Sequence, residues 1–259
     1  MFQHNISFAG AGKVAAALCG KIYETGIKVD LIVSPHEERG RSLAESCEAS
    51  WSSVPEFPES TDIIIVAVPD HRLRSVLENL RCPADALVVH TAGSIGLDVF
   101  PEHITRKGVF YPLQTFSTER KVDFKVLPLL LESSDRQSAA ILEELAASIG
   151  GKNYFVSTEQ RIMIHLAAVF ICNFTNHMLT GGKQVAEKAG VPFEIFFPLL
   201  RETVLKAMDV GPARSQTGPA VRNDQNTIEK HMELLSFSPE LQKIYREITK
   251  SIINYHNKL

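Results

Sequence analysis

The sequence predicts an α/β protein, a doubly wound parallel sheet followed by an all-helical C-terminal domain. Three observations carry that expectation. Strand-like and helix-like segments alternate through most of the first half. The strand-like runs, such as that within TDIIIVAVPD, are continuously apolar, as parallel strands buried on both faces are. From about Ser157 the strand signals stop and only helical segments can be drawn. The expected boundaries are therefore 1–156 for the sheet domain and 157–259 for the helical one.

Each element follows from a local pattern. Ile6 to Ala9 is a short apolar run that stops at Gly10, and small and apolar residues from Val14 to Tyr23 make a helix leading to Gly26. IKVDLIVSP supplies a second strand ending near Ser34, which completes a βαβ unit. TDIIIVAVPD (61–70) and ALVVHTAGS (86–94) are further buried strands, separated by HRLRSVLENL with helical spacing. GVFYPLQTF reads as a strand running into a Pro-stiffened turn, and FKVLPLLLES as another strand. RQSAAILEELAASIGG is an amphipathic helix stopped by Gly150 and Gly151, and NYFV closes the α/β part. Four or five helices follow, broken at Gly181-Gly182, at GVP (190–192) and at the loop GPARSQTGPAVRND.

Composition narrows the function classes. With 44% hydrophobic and 22% charged residues and a net charge of -3, the 259-residue chain is an ordinary globular sequence without the basic excess that nucleic-acid binding needs. Cys19, Cys47, Cys82 and Cys172 are far apart, so no zinc site is expected, and they read as reduced thiols of a cytoplasmic protein. No export signal is expected at the N-terminus. RIMIHLAAVFICNFTNHMLTGG (161–182) has the length of a membrane span, but His165, Asn173, Asn176 and His177 would each be costly in hydrocarbon, so no span is expected.

The turn Gly10-Ala11-Gly12-Lys13-Val14-Ala15 has the form G-x-G-x-x-A between strand and helix. Gly10 permits the tight turn, Gly12 lets backbone approach a pyrophosphate, and Ala15 lets the helix pack on the strand. The phosphates then meet the free N–H groups at the positive end of the helix. Asp30 lies at about the distance of an NAD ribose ligand, yet the apolar run continues past it through Val33. The strand ends instead at Ser34, with Arg39 and Arg41 beyond, groups suited to a 2'-phosphate. NADP is accordingly expected over NAD, the competing reading being that both arginines are solvated charges on a helix beside Glu37 and Glu38.

GAGKVA, VAVPD, HTAGS, YPLQTF, RIMIHLAAVFICNF and TGPAVRND together resemble a bacterial family that pairs a Rossmann domain with a helical C-terminal domain and is described as NADP oxidoreductases. More distantly the chain is similar to β-hydroxyacid dehydrogenases, pyrroline-5-carboxylate reductases and deazaflavin-dependent NADP oxidoreductases. The resemblance covers nearly the whole chain. It implies a fold and a cofactor, not a substrate. It places Val68 and Pro69 near the nicotinamide ribose. It also implies that the first C-terminal helix presents a proton donor, a lysine in β-hydroxyacid dehydrogenases; here Arg161 stands at the comparable place, followed by His165. At Tyr111 the family more often has histidine.

Hydride transfer to a carbonyl or imine asks the protein for orientation, a dry site and often a proton donor. On the opening helix, 100° per residue places Arg161, His165, Cys172 and Asn176 on one stripe with Asn173 at its margin. Arginine keeps its proton but can grip a carboxylate, whereas histidine titrates near neutrality and can donate. His165, His90, Asn173 and Arg161 are thus the expected catalytic groups. Thr91, Tyr111, Gln114, Asn176 and Arg222 are the expected substrate contacts. Either histidine could equally be a buried, hydrogen-bonded core group, and Tyr111 an aromatic plug. The expected activity is NADP-dependent hydride transfer on a small, anionic carbonyl or imine compound between the domains. The alternatives are a nucleotide sensor or scaffold without turnover, and hydride exchange between NADP and a deazaflavin. The apolar faces of the C-terminal helices, FEIFFPLL among them, suggest a homodimer.

Overall fold

The structure, a computed structural model, describes residues 2–258. The first part runs β1 (Ile6–Ala9), α1 (Lys13–Glu24), β2 (Val29–Val33), α2 (Glu37–Ser46), β3 (Ser50–Ser52), β4 (Ile63–Val66), α3 (Asp70–Glu78), β5 (Leu87–His90), β6 (Lys107–Pro112), β7 (Pro128–Ser133), α4 (Arg136–Ser148) and β8 (Lys152–Phe155). The strands form one eight-stranded sheet in the order β3-β2-β1-β4-β5-β6-β7-β8. The order reverses between β1 and β4, so the carboxyl ends of those strands open the crevice where such sheets take ligands.

The sheet departs from the expected parallel arrangement at one place. β6 and β7 run antiparallel. A parallel return requires a crossover, usually a helix. The segment between these strands holds only a three-residue 3-10 turn, Phe124–Val126, so the chain reverses directly.

Period-two alternation splits the sheet's side chains between two layers. Ile63 and Ile65 pack with Leu18 and Ile22 of α1 and with Leu142 and Leu145 of α4. Ile64 and Val66 pack on the other face with Leu73 and Leu77 of α3 and with Phe100. All four β4 side chains are fully buried, each worth roughly 1.5–3 kcal/mol relative to exposure. Cys19 and Cys47 are buried free thiols whose Sγ atoms lie 2.8 Å apart.

The remaining chain is helical: α5 (Thr158–Ala168), a π-helical turn Val169–Phe174, α6 (Thr175–Lys188), α7 (Phe197–Val210), α8 (Pro212–Ser215), α9 (Gln225–Leu234) and α10 (Pro239–His256). Ser157 and Gln160 close a capping box at the start of α5, while Asp224 and Ser238 cap α9 and α10. The chain divides into compact units Met1–Asn173 and Phe174–Leu259. That division falls at the end of the π turn, and α5 is tied to the sheet by Thr158 and Arg161, both bonded to Glu132 of β7. Thr158–Lys188 is one continuous helical run containing an 18-residue window of mean hydropathy 1.5, long and apolar enough to cross a membrane, and none of that window is buried within the chain.

Candidate active site

The Gly-rich turn has the shape a pyrophosphate requires. Gly10 has φ +114°, and a Cβ there would lie 2.3 Å from the Ala67 carbonyl oxygen, so only glycine lets the turn touch the end of β4. The same hypothetical Cβ would lie 3.2 Å from Val68 Cγ1, which puts Val68 against the turn. At Gly12 a Cβ would meet nothing within 4 Å, so the backbone there faces open space. Gly12 caps α1 without a side-chain hydrogen bond, and no acidic residue stands in the first turn. The N–H groups of that turn, from Lys13, Val14 and Ala15, are thus left to an anion. A cavity of about 710 Å³ adjoins them, lined by Ala11, Gly12, Lys13, Arg39, Ser42 and Thr118.

Beyond β2 the groups expected at a 2'-phosphate separate. Arg39 lines the cavity and makes no ion pair among the described residues. Arg41 is engaged, bonded to Glu37 at 2.8 Å and stacked 4.5 Å over Trp51. Asp30 sits inside β2, its carboxylate paired with Lys28. Ser34 differs from expectation: it is buried, and its hydroxyl accepts from the His36 amide at 3.2 Å. It shapes the turn into α2 and does not face the cavity.

The second group of polar residues gathers at the carboxyl ends of β4, β5 and β6. Tyr111 hydroxyl and His165 Nδ1 lie 3.0 Å apart, with the rings edge-on at 67°. Both rings rest on Gly93, where a Cβ would come within 2.6 Å of His165 Nδ1 and 2.8 Å of Tyr111 Cζ. Asp70, at the start of α3, accepts from Ser94 Oγ at 2.9 Å and bears on the phenol. Burial raises the Tyr111 pKa above the usual phenol value, Asp70 adds to it and Arg161 opposes it. The phenol keeps its proton at neutral pH.

Arg161 and His90 are not where a substrate could reach them. Arg161 is fully buried, its guanidinium bonded to Glu132 and to the Ile95 carbonyl. A guanidinium already paired inside the protein cannot grip a substrate carboxylate, so the expected anion clamp is lost. His90 is also fully buried, stacked on Phe100 at 5.4 Å, with Nδ1 accepting from the Ala92 amide at 3.2 Å. Burial and then the Arg161 charge push its pKa down to about 3, against a weaker opposing pull from the Gly96 carbonyl. A histidine that stays neutral across the physiological range holds the turn after β5 and supplies no proton.

The other expected contacts scatter. Thr91 is half-buried beside this turn, while Gln114 is exposed and turns its Oε1 to the Thr115 amide. Pro69 caps α3. Asn173 is exposed, and Asn176 and Arg222 are exposed in the second unit. The expected single stripe does not persist, because the π turn at Val169–Phe174 changes the helical pitch between His165 and Asn176. Asp70, Gly93, Ser94 and Glu132 were missed. For Glu132 there was a signal, a carboxylate inside the otherwise apolar strand PLLLES, which needs a buried partner.

A doubly wound sheet with an uncapped Gly-rich turn at its switch point and a hydroxyl–imidazole pair at its strand ends defines an NAD(P)-dependent oxidoreductase of the Rossmann class. Residues 5–93 match the family described as NADP oxidoreductase, coenzyme F420-dependent, and residues 127–252 match a domain of unknown function (DUF2520). A solved structure from Bacteroides fragilis, described as a "putative NADP oxidoreductase", is 38% identical, superposes with a TM-score of 0.89 and is covered over 98% of its length by 97% of this chain. The chain belongs to that NADP oxidoreductase family. The fold is shared with a pyrroline-5-carboxylate reductase from Coxiella burnetii (18% identity, TM-score 0.59, 98% of each chain). It is shared too with an imine reductase from Myxococcus stipitatus solved with NADP+ (16%, TM-score 0.66, 98% of this chain and 93% of that one). No curated protein matches the chain in sequence.

Proposed function

We propose that the protein is an NADP-dependent reductase or dehydrogenase of a small carbonyl or imine compound, with His165 as the proton donor and Tyr111 as its partner. The observation that carries this reading is the 3.0 Å contact of Tyr111 and His165 over Gly93, at the strand ends where a nicotinamide would lie. NADP supplies or accepts the hydride when bound. As the substrate's oxygen or nitrogen gains negative charge, imidazolium His165 gives it the Nε2 proton, and the remaining Nδ1–H is held by the Tyr111 oxygen. Tyr111 fixes the ring's rotation and, staying protonated, adds no charge of its own. Lys13 and the first turn of α1 hold the pyrophosphate, Arg39 the 2'-phosphate, and Val68 lines the approach to the nicotinamide. Arg161 no longer requires the substrate to be anionic.

The match of residues 5–93 to an F420-dependent family favours a second reading, hydride exchange between NADP and a deazaflavin. One screen separates the two: NADPH oxidation is followed with 2-keto acids, cyclic imines and a deazaflavin, in the wild type and in His165→Ala. Turnover of a carbonyl or imine that falls about 100-fold in the variant supports the donor role. Turnover untouched by the substitution sinks it, and cofactor binding without turnover would return the sensor reading. NADPH binding tighter than NADH, with the difference abolished in Arg39→Ala, checks the cofactor assignment. Exposed Phe170, Ile171, Phe197 and Leu199 form apolar surface that we assign to a homodimer, in keeping with the helical sequence pattern. Sedimentation of a dimer, reduced to monomer by Ile171→Glu or Leu199→Glu, is the expected result.

A further inference from the structure

We propose that Arg161 is a positioning residue: anchored by Glu132, it sets the register of α5 against the sheet so that His165 meets Tyr111. The inference rests on the donor role proposed for His165. Its basis is a match of two repeats. His90, Val109 and Glu132 lie in one row across β5, β6 and β7. Tyr111 stands two residues beyond Val109 on β6, hence on the same face and about 6.6 Å further along. On α5, His165 stands four residues beyond Arg161, about one turn and 6 Å along the axis. The step between those two rows on the sheet therefore matches, to within about 0.6 Å, the step from Arg161 to His165 on the helix. When Arg161 is fixed at the Glu132 row, His165 arrives at the Tyr111 row.

The anchoring is specific. Arg161 is the largest fully buried side chain among the described residues, and its guanidinium spans two elements, the Glu132 carboxylate and the Ile95 carbonyl. Thr158, one turn earlier, donates to the other oxygen of the same carboxylate at 2.7 Å. Lysine carries the charge but lacks the planar fork that holds both partners at once. Gly93 makes the register exacting, since both rings pack so closely over it that there is no room for even a Cβ. The charged and titratable groups around the pair are Asp70 from α3, His90 from β5, Tyr111 from β6, Glu132 from β7 and Arg161 itself.

The test compares the wild type with Arg161→Lys and Glu132→Gln, each checked for folding by circular dichroism and NADPH binding. The first readout is the side-chain 1H–15N spectrum of His165, assigned by its loss in His165→Ala. We expect the hydrogen-bonded Nδ1 signal of the wild type to be replaced, in both variants, by the averaged signals of a free imidazole. The second is turnover, expected to fall about 10–100-fold with KM for NADPH unchanged, as for a reacting group displaced by about 1 Å. Adding His165→Ala to Arg161→Lys should bring a smaller loss than it does in the wild type, because the histidine is already out of place. A folded variant that melts at lower temperature but keeps the native His165 spectrum and turnover would overturn the proposal. Should Arg161→Lys not fold, Glu132→Gln, which keeps shape and one acceptor oxygen, decides alone. If His165→Ala leaves turnover intact, the donor reading fails, while the spectra still report on the register.

Discussion

Gly93→Ala puts a methyl group where the structure has no room for one. The added carbon would lie 2.6 Å from His165 Nδ1, 3.0 Å from its Cγ and 2.8 Å from Tyr111 Cζ, all closer than van der Waals contact allows. Gly93 itself is buried and does not have a positive φ, so the cost is one of packing rather than backbone strain. Relief requires one ring to rotate away. Overpacking of this kind costs roughly 1–3 kcal/mol, or a fall of about 2–12 °C in melting temperature for a chain of this size. The loss in catalysis should exceed the loss in stability, since rotation of either ring breaks the 3.0 Å contact that orients the donor. About 100-fold in kcat is expected, as for a reacting group displaced by about 1 Å. Differential scanning calorimetry and single-turnover kinetics on the same preparation measure both. A variant that melts as expected yet turns over at the wild-type rate would show that the tyrosine–histidine pair is packing and nothing more.

Gly12→Ala should leave the melting temperature unchanged, since its methyl group meets no atom within 4 Å, but should weaken NADPH binding severely, measured by fluorescence titration; unchanged affinity would remove the phosphate from this turn. Gly10→Ala should damage folding and binding together, because the Ala67 carbonyl and a φ of +114° both oppose a side chain there. For His90 the sign follows from a folded pKa of about 3 against an ordinary value near 6.5. Below about 6.5 the unfolded chain takes up a proton that the folded one refuses, so stability falls with falling pH through this window, by up to about 1.4 kcal/mol per pH unit. His90→Asn keeps an acceptor for the Ala92 amide and should flatten that dependence between pH 6.5 and pH 4 in urea titrations; a slope identical to the wild type's would show that other groups carry it.

The alternation of strands and helices was legible because each parallel strand is an unbroken apolar run, and β1, β4 and β5 needed nothing else to be found. β3 is only three residues, SWS, half-exposed at the sheet edge, and carries no apolar run to announce it. The direction of β7 was hidden for another reason: strand composition is the same for either direction, and only the missing crossover helix distinguishes them. Within the candidate site, the tight Gly-rich turn was readable from spacing, because its shape depends on backbone conformation at Gly10. Ser34 and His90 are ambiguous in sequence because a polar residue at a strand end can serve the turn beneath it as readily as a ligand above it. Asp70 carries no sequence signal of its place in the site, since Ser94, which bonds it, and Tyr111, on which its charge bears, come from the turn after β5 and from β6.

The polar residues of the long helix show why a regular stripe was the wrong picture. A helix that served one surface throughout would keep one pitch, and its polar face would run straight from Arg161 to Asn176. This one changes pitch at Val169–Phe174, between the last residue that meets the sheet unit's polar cluster and the first of the second compact unit. On the near side, Arg161 and His165 divide the work, the one fully buried and paired, the other half-buried with its Nδ1 against the Tyr111 hydroxyl. Beyond the turn, Asn176 stands among exposed apolar side chains. π turns insert an extra residue per turn and recur at functional sites. Here the insertion lets a helix fixed at one end by a buried ion pair present a different face at the other. That explains why a charge was placed in the core at all: an apolar side chain at 161 could pack as well, but it could not choose which row of the sheet the histidine would meet.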